Sequence, residues 1–211
     1  MTNLAFHNDP ALAEMIRNQV QAHYDADEIV QGRYWENGKG CFIGCIAHGD
    51  SVATVEQLTG WPIMLTRIAE NIFEGLPNDK AKDFLPRTMA APKIGADLSL
   101  VSWKFLHWLV DDVLREYGTD DVRIACAPAL EIVAAKARGD TVTRAAARAA
   151  ADAAAAAAYA AYAAADAAAA AAYAADAAAD AAAYAAAYAA ADAAARERQA
   201  DKLIELLEDA Q

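Results

Sequence analysis

The feature that most constrains this chain is a run of alanine in its last third. Of the 51 residues between Ala145 and Ala195, 40 are alanine. At about 100° per residue, the side chains of the other eleven stay within an arc of roughly 160°, and methyl groups cover the rest of the helix surface. The run therefore predicts a helix with two different faces. The eleven exceptions recur at spacings of three, four or seven residues, as one side of an α-helix requires: Arg148, Asp152, Tyr159, Tyr162, Asp166, Tyr173, Asp176, Asp180, Tyr184, Tyr188 and Asp192.

The predicted helix is very long. Neither glycine nor proline occurs from Val142 to Gln211, and alanine has the highest helix propensity of all residues. If unbroken, the helix would extend for about 100 Å. It either stays continuous, straight or gently bent, or folds back as a hairpin within the alanines. Because bare methyl groups let helix axes approach to the short end of the ~8–10 Å range, we expect a homo-oligomer formed through the alanine face.

The tyrosine and aspartate stripe has three interpretations. Aspartates can keep an alanine helix soluble while tyrosines pack on neighbours or hydrogen-bond to them. Alternatively, the tyrosines line a binding groove, in which Tyr159 and Tyr162 are the candidate ligand-binding residues. The third interpretation is mimicry of DNA phosphates, for which the carboxylates are sparse.

The first 140 residues predict a compact all-α body. Asp9-Pro10 is typical of a helix start, and the apolar spacing that follows predicts a helix over about residues 10–26. Further apolar repeats at helical spacing follow, separated by glycine and proline, and no run shows sustained strand-like alternation. We therefore expect a multi-helix body over residues 1–140 and the alanine-rich helix over residues 141–211.

Charge and cysteine content limit the binding partners and the cellular compartment that we expect. The net charge of −12 disfavours nonspecific binding to DNA or to anionic lipid. The start of the chain lacks the pattern of a signal peptide, and the longest uncharged alanine stretch is shorter than the ~18 apolar residues of a membrane span. We expect a cytoplasmic protein with no nucleic-acid or membrane partner. Its three cysteines, Cys41, Cys45 and Cys126, are an odd number and predict free thiols.

The segment from Gly38 to Asp50 holds the densest set of reactive side chains. On a helix, Cys41, Cys45 and His48 stand at positions i, i+4 and i+7 of one face. They are weak candidates for a zinc site, because the spacing differs from the usual zinc knuckle. The alternatives are core packing of two small thiols, or a ligand-lining or reactive role. A thiol nucleophile would need an activating imidazole and a third, orienting group.

The same segment is a candidate site for an anion. Glycine amides and a lysine at a helix N-terminus favour negative charge, although a plain turn has the same composition. The candidate ligand-binding residues are Arg33, Tyr34, Trp35, Lys39, Gly40 and His48, in addition to Tyr159 and Tyr162 of the tail. We expect no cofactor.

Two resemblances add context. The stretches Gly38-Lys39-Gly40-Cys41-Phe42-Ile43-Gly44-Cys45, Ile72-Phe73-Glu74-Gly75-Leu76-Pro77-Asn78 and Ile94-Gly95-Ala96-Asp97-Leu98-Ser99, followed by the alanine-rich tail, resemble a family of alanine-rich phage and prophage proteins of uncharacterised function. The segment from Ala137 to Arg148 and the tail after it are similar to Imm-5-like immunity proteins. The resemblance implies a small cytoplasmic protein, in the host cytoplasm if phage-encoded, that acts in conflicts between phage and bacterium by binding.

The expected function is accordingly non-enzymatic. We expect an anti-defence or immunity-type protein that sequesters a small anionic, nucleotide-like signal. One alternative is an inhibitor of a host defence protein or an assembly scaffold, either of which would act through the alanine-rich helix. The other is an enzyme that depends on Cys41, Cys45 or His48.

Overall fold

Side chains cap two of the helix starts in the N-terminal part. The computed structural model describes residues 3–150, 152, 156 and 180–210. Helix α1 spans Pro10–Asp25, and Asp9 accepts hydrogen bonds from the backbone N–H groups of Ala11 and Leu12 at 2.9 and 3.3 Å. These bonds satisfy donors that have no partner inside the helix. The predicted first helix is confirmed.

Four further helices complete the first hundred residues. Ser51 Oγ accepts from the backbone N–H of Thr54, which starts the third helix, and Gly60 ends it with a φ of 72°. This left-handed conformation costs glycine nothing. The helices are α2 (Phe42–Ala47), α3 (Val52–Thr59), α4 (Ile63–Gly75) and α5 (Asn78–Ala90).

The rest of the described chain is also helical. Helix α5 continues through Pro86 and α7 through Pro128, so neither proline ends its helix. Thr143 Oγ1 accepts from the backbone N–H of Ala146 and caps α8. The helices are α6 (Val101–Tyr117), α7 (Asp120–Ala137), α8 (144–150) and α9 (Asp180–Glu208).

A small antiparallel hairpin corrects the expectation of an entirely helical body. Strand β1 (Trp35–Glu36) pairs with β2 (Lys39–Gly40), with Trp35 opposite Gly40. Asn37 and Gly38 form the turn with φ values of 52° and 80°. Asn-Gly suits a two-residue hairpin turn because both residues tolerate positive φ. Strands of two residues are too short to show alternation of apolar and polar residues, so the sequence pattern does not reveal this pairing.

The chain divides into two compact units. Unit 1 comprises Met1–Ser102 and Asp192–Gln211, and unit 2 comprises Trp103–Ala191. These bounds differ from the predicted boundary at residue 140. The end of the chain belongs to unit 1 because Leu203 and Leu207 of α9 are completely buried there. Whether the alanine-rich helix is continuous or a hairpin concerns residues 157–179, which lie outside the described residues.

An aromatic cluster fills the core of unit 1. The ring of Phe42 lies 6.1 to 6.3 Å from the rings of Trp61, Phe73 and Phe84, and all four side chains are buried. Phe42 is the first residue of α2, so this short helix is anchored by its N-terminal end. The core therefore fixes the position of the residues that follow Phe42 in α2.

Candidate functional site

The hairpin packs against α2 through two glycines. A Cβ added at Gly44 would lie only 1.3 Å from the carbonyl oxygen of Tyr34, and one at Gly40 would lie 2.3 Å from the same atom. The Cys41 backbone N–H also donates to Arg33 O at 2.8 Å. The hairpin thus approaches the helix more closely than any residue with a side chain would allow.

This approach brings two histidines and a tryptophan together. His48 follows the last residue of α2 in a left-handed conformation, and the Trp35 indole stacks on its imidazole with centroids 4.4 Å apart and planes 21° apart. His48 Nε2 lies 2.9 Å from Nε2 of His23, in the last turn of α1. His23 Nδ1 lies 2.7 Å from a carboxylate oxygen of Glu28. Glu28, His23, His48 and Trp35 form one contiguous set, the histidine cluster.

Burial differs along the histidine cluster. His23 is 9% exposed, Glu28 and Trp35 are half-buried, and His48 is exposed. Partial burial, together with the neighbouring His23, lowers the pKa of His48 below its usual value. His48 is therefore largely neutral at neutral pH and can offer a nitrogen lone pair.

His23 and Glu28 were missed by the sequence analysis. His23 occupies one position of an amphipathic helix, and nothing local distinguishes it from a core histidine. Its partner His48 is 25 residues away in the sequence. In the sequence, the Asn37-Gly38 dipeptide is the signal for the hairpin that places Trp35 against His48.

The N-terminus of α2 already holds a carboxylate. Glu70 of α4 accepts from the Cys41 thiol at 2.9 Å and from the backbone N–H of Ile43 at 3.1 Å. Burial raises the pKa of Glu70. An anion predicted to bind at this helix end, next to Gly38-Lys39-Gly40, would have to displace Glu70. The anion site predicted at this helix end stays a prediction.

The side chains of Cys41, Cys45 and His48 have different hydrogen-bond partners and do not point to one common site. The Cys45 thiol donates to Gly40 O at 3.2 Å, and His48 contacts His23. Burial raises the pKa of Cys41, and it raises that of Cys45 to about 12. A thiol held in this way is a poor nucleophile and a poor metal ligand, because both roles need the thiolate. The interpretation of the two thiols as core packing fits these contacts.

The other predicted ligand-binding residues lie along the hairpin. Arg33 forms a 2.9 Å ion pair with Glu36, and both side chains are more than half exposed. Tyr34 is 51% exposed. Lys39 Nζ donates to Asp27 O at 3.2 Å. The structure thus brings Arg33, Tyr34, Trp35, Lys39, Gly40 and His48 into one segment of hairpin and helix, whereas Tyr159 and Tyr162 lie outside the described residues.

Two further features are candidates for binding small ligands. Among the described residues, Cys41, Glu70 and Glu74 form a group whose ligand atoms all lie within 4.8 Å of one another. Glu74 also accepts from the Gly32 backbone N–H at 2.8 Å. A cleft of about 330 Å³ lies beside the start of α5; its lining consists of Ile29, Val30, Gln31, Phe73, Asn78, Ala81 and Lys82.

Comparison with known proteins adds no relative. The chain matches no family model, no curated protein and no solved structure. The resemblances to the phage family and to the Imm-5-like proteins remain predictions. In the described part of the chain, no helix is both long enough and apolar enough to cross a bilayer.

Proposed function

We propose that this chain is a non-enzymatic binding protein of phage–host conflict, acting in the host cytoplasm, whose ligand is a small anionic, nucleotide-like signal. The biological setting comes from the sequence resemblance alone. The proposed ligand class is supported by one structural observation, the stacked pair of Trp35 and His48 beside the exposed side chains of Arg33, Tyr34 and Lys39. We call these five side chains the hairpin surface.

The hairpin surface offers both of the interactions that a nucleotide needs. A base can stack on the exposed imidazole of His48 or on the ring of Tyr34, since every base has a π face. Arg33 and Lys39 supply cationic donors for phosphate. Arg33 forms an exposed ion pair with Glu36, which contributes at most about 1 kcal/mol and is readily exchanged for a phosphate.

A binding role fits this surface better than thiol chemistry does. The Cys41 thiol donates to Glu70 and the Cys45 thiol to Gly40 O, so neither of these hydrogen bonds goes to an imidazole, and burial holds both thiols in the protonated form. The alternative of a cysteine-dependent enzyme would need a change in the packing of α2 before either sulfur could react.

The proposal is tested by thermal shift with a ligand panel. The purified full-length chain is incubated with cyclic mononucleotides, cyclic dinucleotides and ADP-ribose derivatives, with inorganic phosphate as a simple anion. A true ligand raises the melting temperature, and each tenfold increase above the dissociation constant adds about 1.4 kcal/mol of stability. Absence of a shift across the panel would refute the proposal.

Substitutions locate the site. Arg33→Ala and Lys39→Ala should remove most of the shift, because they remove the phosphate donors. Arg138→Ala is the matched control, since Arg138 is also an exposed arginine paired with carboxylates, Glu131 and Asp140. If Lys82→Ala removes the shift and Arg33→Ala does not, the ligand occupies the cleft beside α5 and the hairpin surface is the wrong site.

Self-association through the alanine-rich helix, and inhibition of a host protein by that helix, remain proposals. The methyl face responsible for both lies largely in residues outside the described part. Measurement of the mass in solution by light scattering tests the first directly. A monomer at micromolar concentration would contradict a stable homo-oligomer.

A further inference from the structure

The two histidines of the histidine cluster have the geometry of metal ligands. Their Nε2 atoms lie 2.9 Å apart. Two imidazole nitrogens bound to one tetrahedral Zn²⁺ at about 2.0–2.1 Å are separated by about 3.3 Å. An opening of a few tenths of an ångström, with a rotation of both rings that turns the two Nε2 lone pairs toward one point beside the line joining them, would let one metal ion bind both His23 and His48.

The carboxylate of Glu28 gives His23 the tautomer that a metal requires. Its oxygen lies 2.7 Å from Nδ1 and accepts the Nδ1–H hydrogen bond. In the neutral ring this leaves the lone pair on Nε2, which faces His48. A carboxylate that orients a histidine from behind in this way is the usual outer partner of a metal-binding histidine.

His48 is positioned independently of any ion. Its backbone has a φ of 49° and a ψ of 42° at the end of α2, and its ring is stacked on Trp35. The backbone N–H of His48 donates to Gly44 O at 2.8 Å. Both histidines are thus held in place before a ligand arrives, which lowers the cost of binding.

We propose that His23 and His48 form a binding site for a divalent transition-metal ion, with Glu28 as the outer carboxylate. The ion takes its two protein ligands from the Nε2 atoms, and its remaining positions face the exposed side of His48, where water or an anionic ligand completes the coordination. Imidazole ligands suit Zn²⁺, Ni²⁺ and Cu²⁺, and the general affinity order makes Cu²⁺ the tightest of these.

The site differs from the cluster of Cys41, Glu70 and Glu74. That cluster uses a thiol whose pKa is raised by burial and a carboxylate already engaged by Ile43 N–H. Metal binding there would require loss of the thiol proton. At the histidine pair, the proton shared by the two Nε2 atoms must leave the contact, and His48 can take it on Nδ1 by exchange with solvent, so the pair as a whole loses no proton.

Fluorescence offers a readout specific to this site. The chelator-treated full-length chain is titrated with Cu²⁺ and Ni²⁺, and with Zn²⁺ in a competition assay. Because Trp35 is stacked on His48, a paramagnetic ion bound to His48 should quench Trp35 emission. Trp35→Phe should lose most of this quenching.

Substitutions identify the side chains that bind the metal ion. His23→Gln and His48→Gln should each weaken binding at least tenfold, and Glu28→Gln should weaken it by about 10–100-fold through the lost orientation of His23. His107→Gln, which changes a half-buried histidine of α6, should leave binding unchanged. The melting curve of each variant without metal identifies any loss of folding, and the exposed His48 provides a ligand variant that leaves the core intact.

Three results would overturn the assignment. These are no binding of any of the three ions by the parent chain, unchanged binding in His48→Gln, or loss of binding in Glu74→Gln with the histidine variants unaffected. The metal alone is the probe, so the outcome is independent of the nucleotide panel. Conversely, a thermal shift by a nucleotide in the presence of chelator would support the proposed function whatever the metal result.

Discussion

The close contact between the hairpin and α2 makes the effect of one substitution opposite in sign to what helix propensity predicts. Gly44 lies inside α2, where alanine would normally be more favourable by about 1 kcal/mol. A Cβ at this position, however, would lie 1.3 Å from the carbonyl oxygen and 2.5 Å from the carbonyl carbon of Tyr34. Both atoms belong to the backbone, so no rotamer change can relieve the clash.

The size of the effect follows from the distance that must be gained. Ordinary contact begins at about 3.4 Å, so the hairpin would have to move by about 2 Å. That movement breaks the hydrogen bond from Cys41 N–H to Arg33 O and separates Trp35 from His48. Overpacking costs about 1–3 kcal/mol and a lost hydrogen bond about 1 kcal/mol, so after subtraction of the propensity gain of about 1 kcal/mol we expect Gly44→Ala to destabilise by about 1–3 kcal/mol.

Urea denaturation and thermal unfolding, both monitored by circular dichroism, measure this difference. The melting temperature should fall by roughly 2–12 °C for a chain of this size. Gly49→Ala is the matched control, because a Cβ there comes no closer than 3.8 Å to Ala47 O and the change should stay within about 0.5 kcal/mol. A Gly44→Ala variant as stable as the parent would show that the hairpin does not pack on α2 as described.

Three further predictions concern the core and its titratable groups. Phe42→Ala should destabilise by about 3–5 kcal/mol in denaturant titrations, because the ring is completely buried among three aromatic rings; a loss below about 1 kcal/mol would contradict that packing. In the folded chain a thiol reagent should modify Cys126 first, with Cys41 and Cys45 reacting roughly tenfold or more slowly until denaturant is added; equal rates for all three would argue against burial of α2. Glu70→Gln should become more stable relative to the parent as pH rises. Burial raises the pKa of Glu70 in the folded chain above its unfolded value of 4.5. The protonated carboxyl of the parent therefore contributes stability below pH 4.5, and this stability is lost as the pH rises through the pKa of the folded chain. A stability difference that does not change between pH 4.5 and pH 8 would refute this account of Glu70.

Local signals in the sequence were sufficient to predict the first helix. The first helix begins after Asp9 because the aspartate that caps it is adjacent in the chain, and α3 is enclosed by Ser51 and Gly60 for the same reason. Capping involves residues within three or four positions, so it can be predicted without knowledge of the fold. Asn37-Gly38 is typical of a hairpin turn, but the hairpin shows no alternating pattern because its strands have only two residues each.

The candidate site was predicted only in part. Arg33, Trp35 and His48 were identified as one segment because they are close in the sequence. His23 was not, because its contact with His48 depends on the end of α1 meeting the end of α2.

By itself, then, the sequence determined that the chain is mainly helical, where the first helix begins and ends, and that Arg33 to His48 carries the densest polar and aromatic side chains. Tertiary structure alone decided that Glu70 occupies the N-terminus of α2, that the thiols face the core, and that two histidines face each other. The physical reason is how far apart the interacting residues are along the chain. Helix caps and turns are interactions between neighbours in the chain, whereas these contacts join residues whose distance in space is set by the packing of Phe42 and the other core side chains.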